Sequence, residues 1–247
     1  MINEPHVEDQ GGDDSEPAHP TRVRWRPWPC ESCRGGSTAL GFLVRSPDAN
    51  PEIPDGDRNE QIDWRKRWEA GRLIEWVESC PHTAWSDLVL PRLDEGSEHI
   101  VLFDGETSEV VKITRPGLYG DYYEIVDGLV VQFGSTPAEY LRRMRWWDKL
   151  FSAAPKPLGL TETGQVVSRQ QFIRGDDPSQ EAVDQFLTGA GLVAVKQSCW
   201  LWKKVDMGSQ IEVWIGDARW DNFVSTADGI IPIDIRVWSV QVRAGPG

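Results

Sequence analysis

Apolar positions along this chain recur at two different periods, and the places where one period gives way to the other outline its elements. From Gln61 to Glu78, Ile62, Trp68, Leu73, Trp76 and Val77 fall roughly on one face with Arg, Lys and Glu on the other. That spacing predicts an amphipathic helix, ending near Ser79-Cys-Pro81. Glu98-His-Ile-Val-Leu-Phe-Asp104 and Ser108-Glu-Val-Val-Lys-Ile-Thr114, joined by Gly105-Glu-Thr, read as a β-hairpin. Two further apolar runs, Tyr122 to Val126 and Leu129 to Phe133, follow the glycine-rich turn Pro116-Gly-Leu-Tyr-Gly-Asp121. Thr136-Pro-Ala-Glu139 then carries a capping box with proline at the first helical position, and Tyr140, Met144, Trp147 and Phe151 give that helix its buried stripe. Leu158-Gly-Leu160 and Gln165 to Ile173 flank the turn Thr161-Glu-Thr-Gly164 as a second hairpin, and a short helix with Val183, Phe186 and Leu187 on one face follows.

The last patterned stretch alternates strand, polar loop, strand, turn and strand. Ile211-Glu-Val-Trp-Ile215 and Gly229-Ile-Ile-Pro-Ile233 are short runs rich in β-branched and aromatic residues. Between and just after them stand Asp217, Asp221, Asn222 and Asp234. A hairpin turning at Ser225-Thr-Ala-Asp-Gly229 brings Asn222 and Asp234 toward one hard cation, with Asp217 close by as a base. The competing reading makes Asp217 and Asn222 self-satisfied turn residues and Asp234 a solvated strand residue.

Composition divides the chain. Residues 1–22 are acidic, polar and poor in apolar residues, which predicts a disordered tail. Residues 23–97 form a Trp-rich N-terminal extension built around the one amphipathic helix, and 98–247 a compact α+β domain. Thirteen tryptophans require large buried surfaces and therefore a real core. A net charge of −13 opposes general binding to nucleic acid or a membrane surface. No run has the length of a membrane span and no signal-type apolar core follows the N-terminus, so the expectation is a cytoplasmic protein. Cys30-x-x-Cys33 with Cys80 and His82 could hold a structural Zn²⁺, although Cys33 and Cys80 lie well beyond finger spacing; the alternative is small cysteines in a Trp/Pro-rich turn.

Lys112 is the only basic residue within its strand, flanked by Val110, Val111 and Ile113. A lysine in that setting serves as a point charge for phosphate, or faces outward on a two-sided hairpin. Glu139 either pairs with Lys112 or caps its own helix.

With these elements placed, residues from about His99 to Val237 resemble the serine/threonine/tyrosine kinase-like domain found in polyvalent proteins of phages and mobile elements. That domain is a compact relative of the protein-kinase and aminoglycoside-phosphotransferase superfamily. The resemblance is carried by Glu139-Tyr-Leu-Arg-Arg143 and its helix, by Val167-Ser-Arg-Gln-Gln-Phe-Ile-Arg-Gly175, and above all by Gly216-Asp-Ala-Arg-Trp-Asp-Asn-Phe-Val224 with Ile231-Pro-Ile-Asp-Ile235. It implies a minimal kinase-like core of antiparallel sheet, helix, hinge and catalytic-loop hairpin. It also implies ATP and Mg²⁺ as cofactors, Asp217 as the residue accepting the substrate hydroxyl proton, and Asn222 and Asp234 as metal ligands. Lys112, with Glu139 beside it, would meet the phosphates, and Gln171, Phe172 and Ile173 would form the hinge that meets adenine. Two positions depart from the pattern: no glycine-rich loop of kinase spacing is present, and Ile215-Gly216 precede the aspartate. The expected function is ATP- and Mg²⁺-dependent phosphotransfer to a hydroxyl. The alternative is a pseudokinase-type module that binds nucleotide, or a protein partner through the N-terminal extension. A metal-dependent hydrolase or nuclease fits less well, because no nuclease-like Asp…Glu-x-Lys array accompanies the carboxylates.

Overall fold

The computed structural model describes residues 20–29, 39–45, 52–81, 83–127, 129–195, 200–206 and 211–241. In chain order, β1 (Pro20–Pro27) leads to α1 (Ala39–Arg45) and α2 (Arg58–Glu78), followed by β2 (Ser86–Glu95), β3 (His99–Asp104) and β4 (Glu109–Thr114). A hairpin of β5 (Asp121–Val126) and β6 (Leu129–Gly134) precedes α3 (Pro137–Phe151), and β7 (Lys156–Thr161) and β8 (Val166–Gln171) complete the first half. The second half contains α4 (Gln180–Gly189), β9 (Val193–Ala194), β10 (Trp202–Asp206), β11 (Ile211–Gly216), β12 (Phe223–Thr226), β13 (Gly229–Pro232) and β14 (Arg236–Gln241). The architecture is α+β.

Six antiparallel strands close into a barrel in the order β1-β2-β3-β4-β8-β7. Its interior is filled by Leu102, Val111, Ile113 and Val167, with Val23, Trp25 and Leu88 packed against them. Closure comes from β1 pairing with β7, Trp25 opposite Thr161 and Pro27 opposite Gly159. At that seam a Cβ on Gly159 would lie 2.0 Å from the Arg26 carbonyl oxygen, so only glycine lets the two backbones meet. Arg26 also donates to the carbonyls of Cys80 and Thr83 at 2.7 and 2.6 Å, which ties β1 to the end of α2.

This closure revises the segmentation read from composition. Residues 20–22, expected in a disordered tail, are the first residues of β1. Strands on both sides of residue 98 share the barrel, so the packing is continuous across that position. Residues 1–19 lie outside the described residues, as do Cys30, Cys33 and His82 of the expected zinc set. Cys80 is buried, and its carbonyl serves Arg26.

Helix α3 packs against the other parts of the molecule. Tyr140, Leu141 and Met144 join Leu73, Trp76 and Val77 of α2 and Leu160 and Val166 of the barrel in one core. A turn later, Trp147 enters a second core with Val183, Leu187, Ile215, Phe223, Ile235 and Val237. The helix begins at a full capping box, in which Thr136 and Glu139 satisfy each other's backbone N–H groups. A further donor at this end, the Ala138 N–H, bonds at 2.7 Å to the buried Glu69 carboxylate of α2. The second half of the chain is a sheet in the order β14-β11-β10-β9 with the hairpin β12-β13 beside it. Paired backbone bonds between Asp176, after β8, and Ser225 of β12 tie the chain leaving the barrel to that hairpin. Among the described residues no helix is long and apolar enough to cross a membrane.

Candidate functional site

Alternation along β4 puts Val111 and Ile113 inside the barrel and Lys112 on its outer face, where it is nonetheless buried against the second half. Its Nζ donates to the Ile233 carbonyl at 2.6 Å and stands 3.6 Å from Asp234 Oδ1. From the opposite side Arg143 of α3 donates its Nε to the Ile235 carbonyl at 2.9 Å, and its Nη2 stands 3.6 Å from the same Oδ1. The Asn222 carbonyl accepts the N–H groups of Ile233 and Asp234 at 2.8 and 3.3 Å. Asp234 is therefore gripped through the backbone before it, at it and after it. The 3.6 Å contact of each of these cations with its carboxylate falls on Oδ1.

Behind this grip lies a buried polar cluster. Arg143 pairs with Glu98, whose carboxylate is 3.3 Å from His99 Nε2, and that ring nitrogen is 2.8 Å from the Tyr140 hydroxyl. Burial pushes the His99 pKa down to about 4, against the pull of Glu98 and Asp234, so the ring is neutral near neutral pH. Burial pushes the Asp234 carboxyl up. Lys112, His99, Arg143 and Arg236 outweigh that push and hold it down at about 2. The Asp234 side chain keeps 47% of its surface exposed, so its open side meets solvent while its inner side meets cations.

The loop leaving β11 starts beside this segment, because Gly216 lies opposite Arg236 of β14. Asp217 takes a left-handed backbone conformation, φ +57°, which costs a residue with a Cβ and is tolerated best by Asp and Asn. One 3-10 turn, Trp220–Asn222, then closes the loop, and the Asn222 side chain donates Nδ2 to the Asp217 carbonyl at 2.8 Å. Asn222 thus holds Asp217 with its side chain and Asp234 with its main chain. The Asp217 carboxylate stays partly exposed, 3.5 Å from Arg219 Nε and 4.0 Å from Arg236 Nη2. Arg236 also bonds the Tyr123 hydroxyl at 2.9 Å, which ties the hairpin β5–β6 to the site.

Comparison with family models, with curated proteins and with solved structures returned no match. The reading of the site therefore rests on its own geometry.

That geometry gathers Lys112, Asp217, Asn222 and Asp234 into one region. Glu139 does not share it: its carboxylate bonds the Thr136 N–H at 2.7 Å in the capping box, and Lys112 finds its anion in Asp234. At the expected hinge, the Phe172 N–H is bonded to the Ser108 carbonyl at 3.1 Å, and the Gln171 side chain donates to the same oxygen at 2.8 Å. Gln171 and Ile173 line a 630 Å³ cavity with Phe151, Phe186, Ile230 and Pro232, and neither Lys112 nor Asp234 is in its lining.

A divalent cation fits the donor set only in part. The Asn222 nitrogen is committed to the loop, which leaves its Oδ1 as that side chain's ligand atom, and Asp234 offers its carboxylate. Among the described residues no three His, Cys, Asp or Glu side chains converge on a metal position, so further oxygens would have to come from a ligand or from water. Sequence reasoning missed Arg143, Glu98, His99 and Arg236. Arg143 sits in a run with Arg142 and Arg145, and nothing local distinguishes the one that turns inward.

Proposed function

We propose that this protein is a nucleotide-dependent phosphotransferase of the kinase-like kind, acting on a hydroxyl acceptor. The observation that carries this reading is the convergence of Lys112, from the middle of a barrel strand, on Asp234, which the backbone of Asn222 in turn joins to the Asp217 loop. A charge for phosphate, two oxygen ligands for a cation and a partly exposed carboxylate are the parts that phosphoryl transfer by positioning and charge stabilisation requires.

In this reading Lys112 neutralises phosphate oxygens, and Asn222 and Asp234 hold Mg²⁺, which supplies charge stabilisation for the transferring group when bound. Asp217 orients the acceptor hydroxyl and takes its proton, its carboxylate aimed by the left-handed backbone and by Arg219 and Arg236. The deciding measurement is a thermal-shift titration with ATP, with Mg²⁺ or in excess EDTA. A ligand at a hundred times its Kd stabilises by about 2.7 kcal/mol, so a rise in Tm with Mg·ATP that EDTA reduces is the expected result. No shift at millimolar nucleotide would sink the reading.

One observation favours the second reading, a non-catalytic nucleotide- or partner-binding module. Lys112 already spends a hydrogen bond on the Ile233 carbonyl, and the Phe172 N–H on Ser108, so both must be released or shared to serve a nucleotide. Nucleotide binding without transfer by wild type would decide for it.

A further inference from the structure

Arg143 is the most deeply committed cation near Asp234. It is buried in the middle of α3, and its guanidinium points in three directions at once: Nε to the Ile235 carbonyl, Nη1 to Glu98 and Nη2 toward Asp234 Oδ1. Lys112 mirrors it, reading the carbonyl before Asp234 and the same carboxylate oxygen. We propose that Arg143 is a positioning residue for the cation site: with Glu98 as its anchor it fixes the Asp234 carboxylate by Oδ1 and so presents Oδ2 to a divalent cation carried by nucleotide. The proposal rests on the nucleotide reading above.

Two geometric points support it. With both cations approaching one oxygen, intermediate rotations of the carboxylate lengthen both contacts, so the plane of the group is fixed. The planar guanidinium can also serve a carbonyl and two carboxylates together, which a lysine ammonium on a flexible stem reproduces poorly. The anchor reaches further back as well, because α3 is fixed at its N-terminus by Glu69 of α2. The setting of the cation site thereby depends on the helix of the N-terminal half.

A purely structural ion network predicts something else, namely that losing Arg143 weakens the fold and affects every ligand state alike. The test uses the full chain in four forms: wild type, Arg143→Lys, Arg143→Met, and Arg143→Met with Glu98→Leu. The double variant removes both buried charges and avoids stranding a carboxylate. ATP affinity is measured by calorimetry with Mg²⁺ and again in EDTA, on samples that unfold cooperatively. The expected result is at least a tenfold Mg²⁺-dependent gain for wild type, falling to within twofold in the double variant, with the EDTA affinity changed by less than threefold. Arg143→Lys should fall between the two. A folded double variant that keeps the wild-type gain overturns this proposal and leaves the nucleotide reading standing. Wild type that binds ATP equally with and without Mg²⁺ overturns the cation site and this role of Arg143, and wild type that binds no ATP overturns both readings.

Discussion

The two aspartates of the site are held in opposite ways. Asp234 sits in a segment whose neighbouring carbonyls, amides and carboxylate oxygen are bound by Lys112, Arg143 and Asn222, with buried cations on its inner side. Asp217 has a strained backbone, one side-chain bond to its carbonyl, and a carboxylate whose nearest cation, Arg219, is 48% exposed. A cation ligand gains from being fixed in advance, since little remains to be ordered when the cation arrives. A residue that must meet a substrate hydroxyl gains from having its carboxylate left accessible. In the proposed phosphotransferase the difference would suit a division of labour in which Asp234 holds the cation and Asp217 meets the substrate.

The largest effect expected from this contrast is on rate. Asp217→Ala should lower phosphotransfer by about a hundred- to ten-thousandfold, the usual contribution of a positioned base, while the Tm rise caused by Mg·ATP is retained. If that rise disappears as well, Asp217 belongs to the binding apparatus and the division fails. The next largest concerns two arginines of like charge. Arg143→Met breaks a buried pair and should cost about 3–5 kcal/mol in urea unfolding, whereas Arg219→Met, at an exposed pair, should cost less than about 1 kcal/mol. Equal losses would mean that the two regions are not differently anchored.

Acid sharpens the picture of the buried side. The folded-state pKa of His99 is depressed from 6.5 to about 4, so the unfolded chain takes up the proton first. Stability from this ring is complete above about pH 6.5 and is lost as pH falls toward 4, by on the order of 3 kcal/mol across the window. His99→Gln should flatten that part of the unfolding profile. An unchanged slope would show that another group is responsible. The smallest effect is a gain: Asp217→Gly removes the left-handed strain and should stabilise the fold by about 1 kcal/mol while lowering transfer as Asp217→Ala does. A loss of stability would mean that the carboxylate's contacts with Arg219 and Arg236 outweigh the strain.

Much of this was legible in the sequence where the signal was local. The capping box at Thr136 announced α3, the turn at Gly105 announced β3 and β4, and the spacing of Asp217, Asn222 and Asp234 between apolar strands pointed to residues that the fold brings together. Tertiary partners were not legible. β1 reads Arg-Val-Arg-Trp-Arg, and β2 contains Pro91 and several charges, so neither looks like a strand until each is paired in the barrel. Glu139 satisfied two roles on paper, and the cap won because it needs only its own helix. Arg143 was hidden for the converse reason, since its partners lie at Glu98, Asp234 and Ile235, far from it in sequence.

The seam between β1 and β7 has a consequence in time as well as in space. Trp25 pairs with Thr161, so the first described strand of the chain finds its final partner only after α1, α2, α3 and five further barrel or hairpin strands have been made. During synthesis its Thr161-side edge must stay unpaired until β7 emerges, and ring closure carries a long loop-closure entropy. Completion of the barrel is expected to be a late, slow event in refolding. A Gly159→Val chain, denied the close approach to Arg26, should stall there with an open ring and an exposed β-edge prone to self-association.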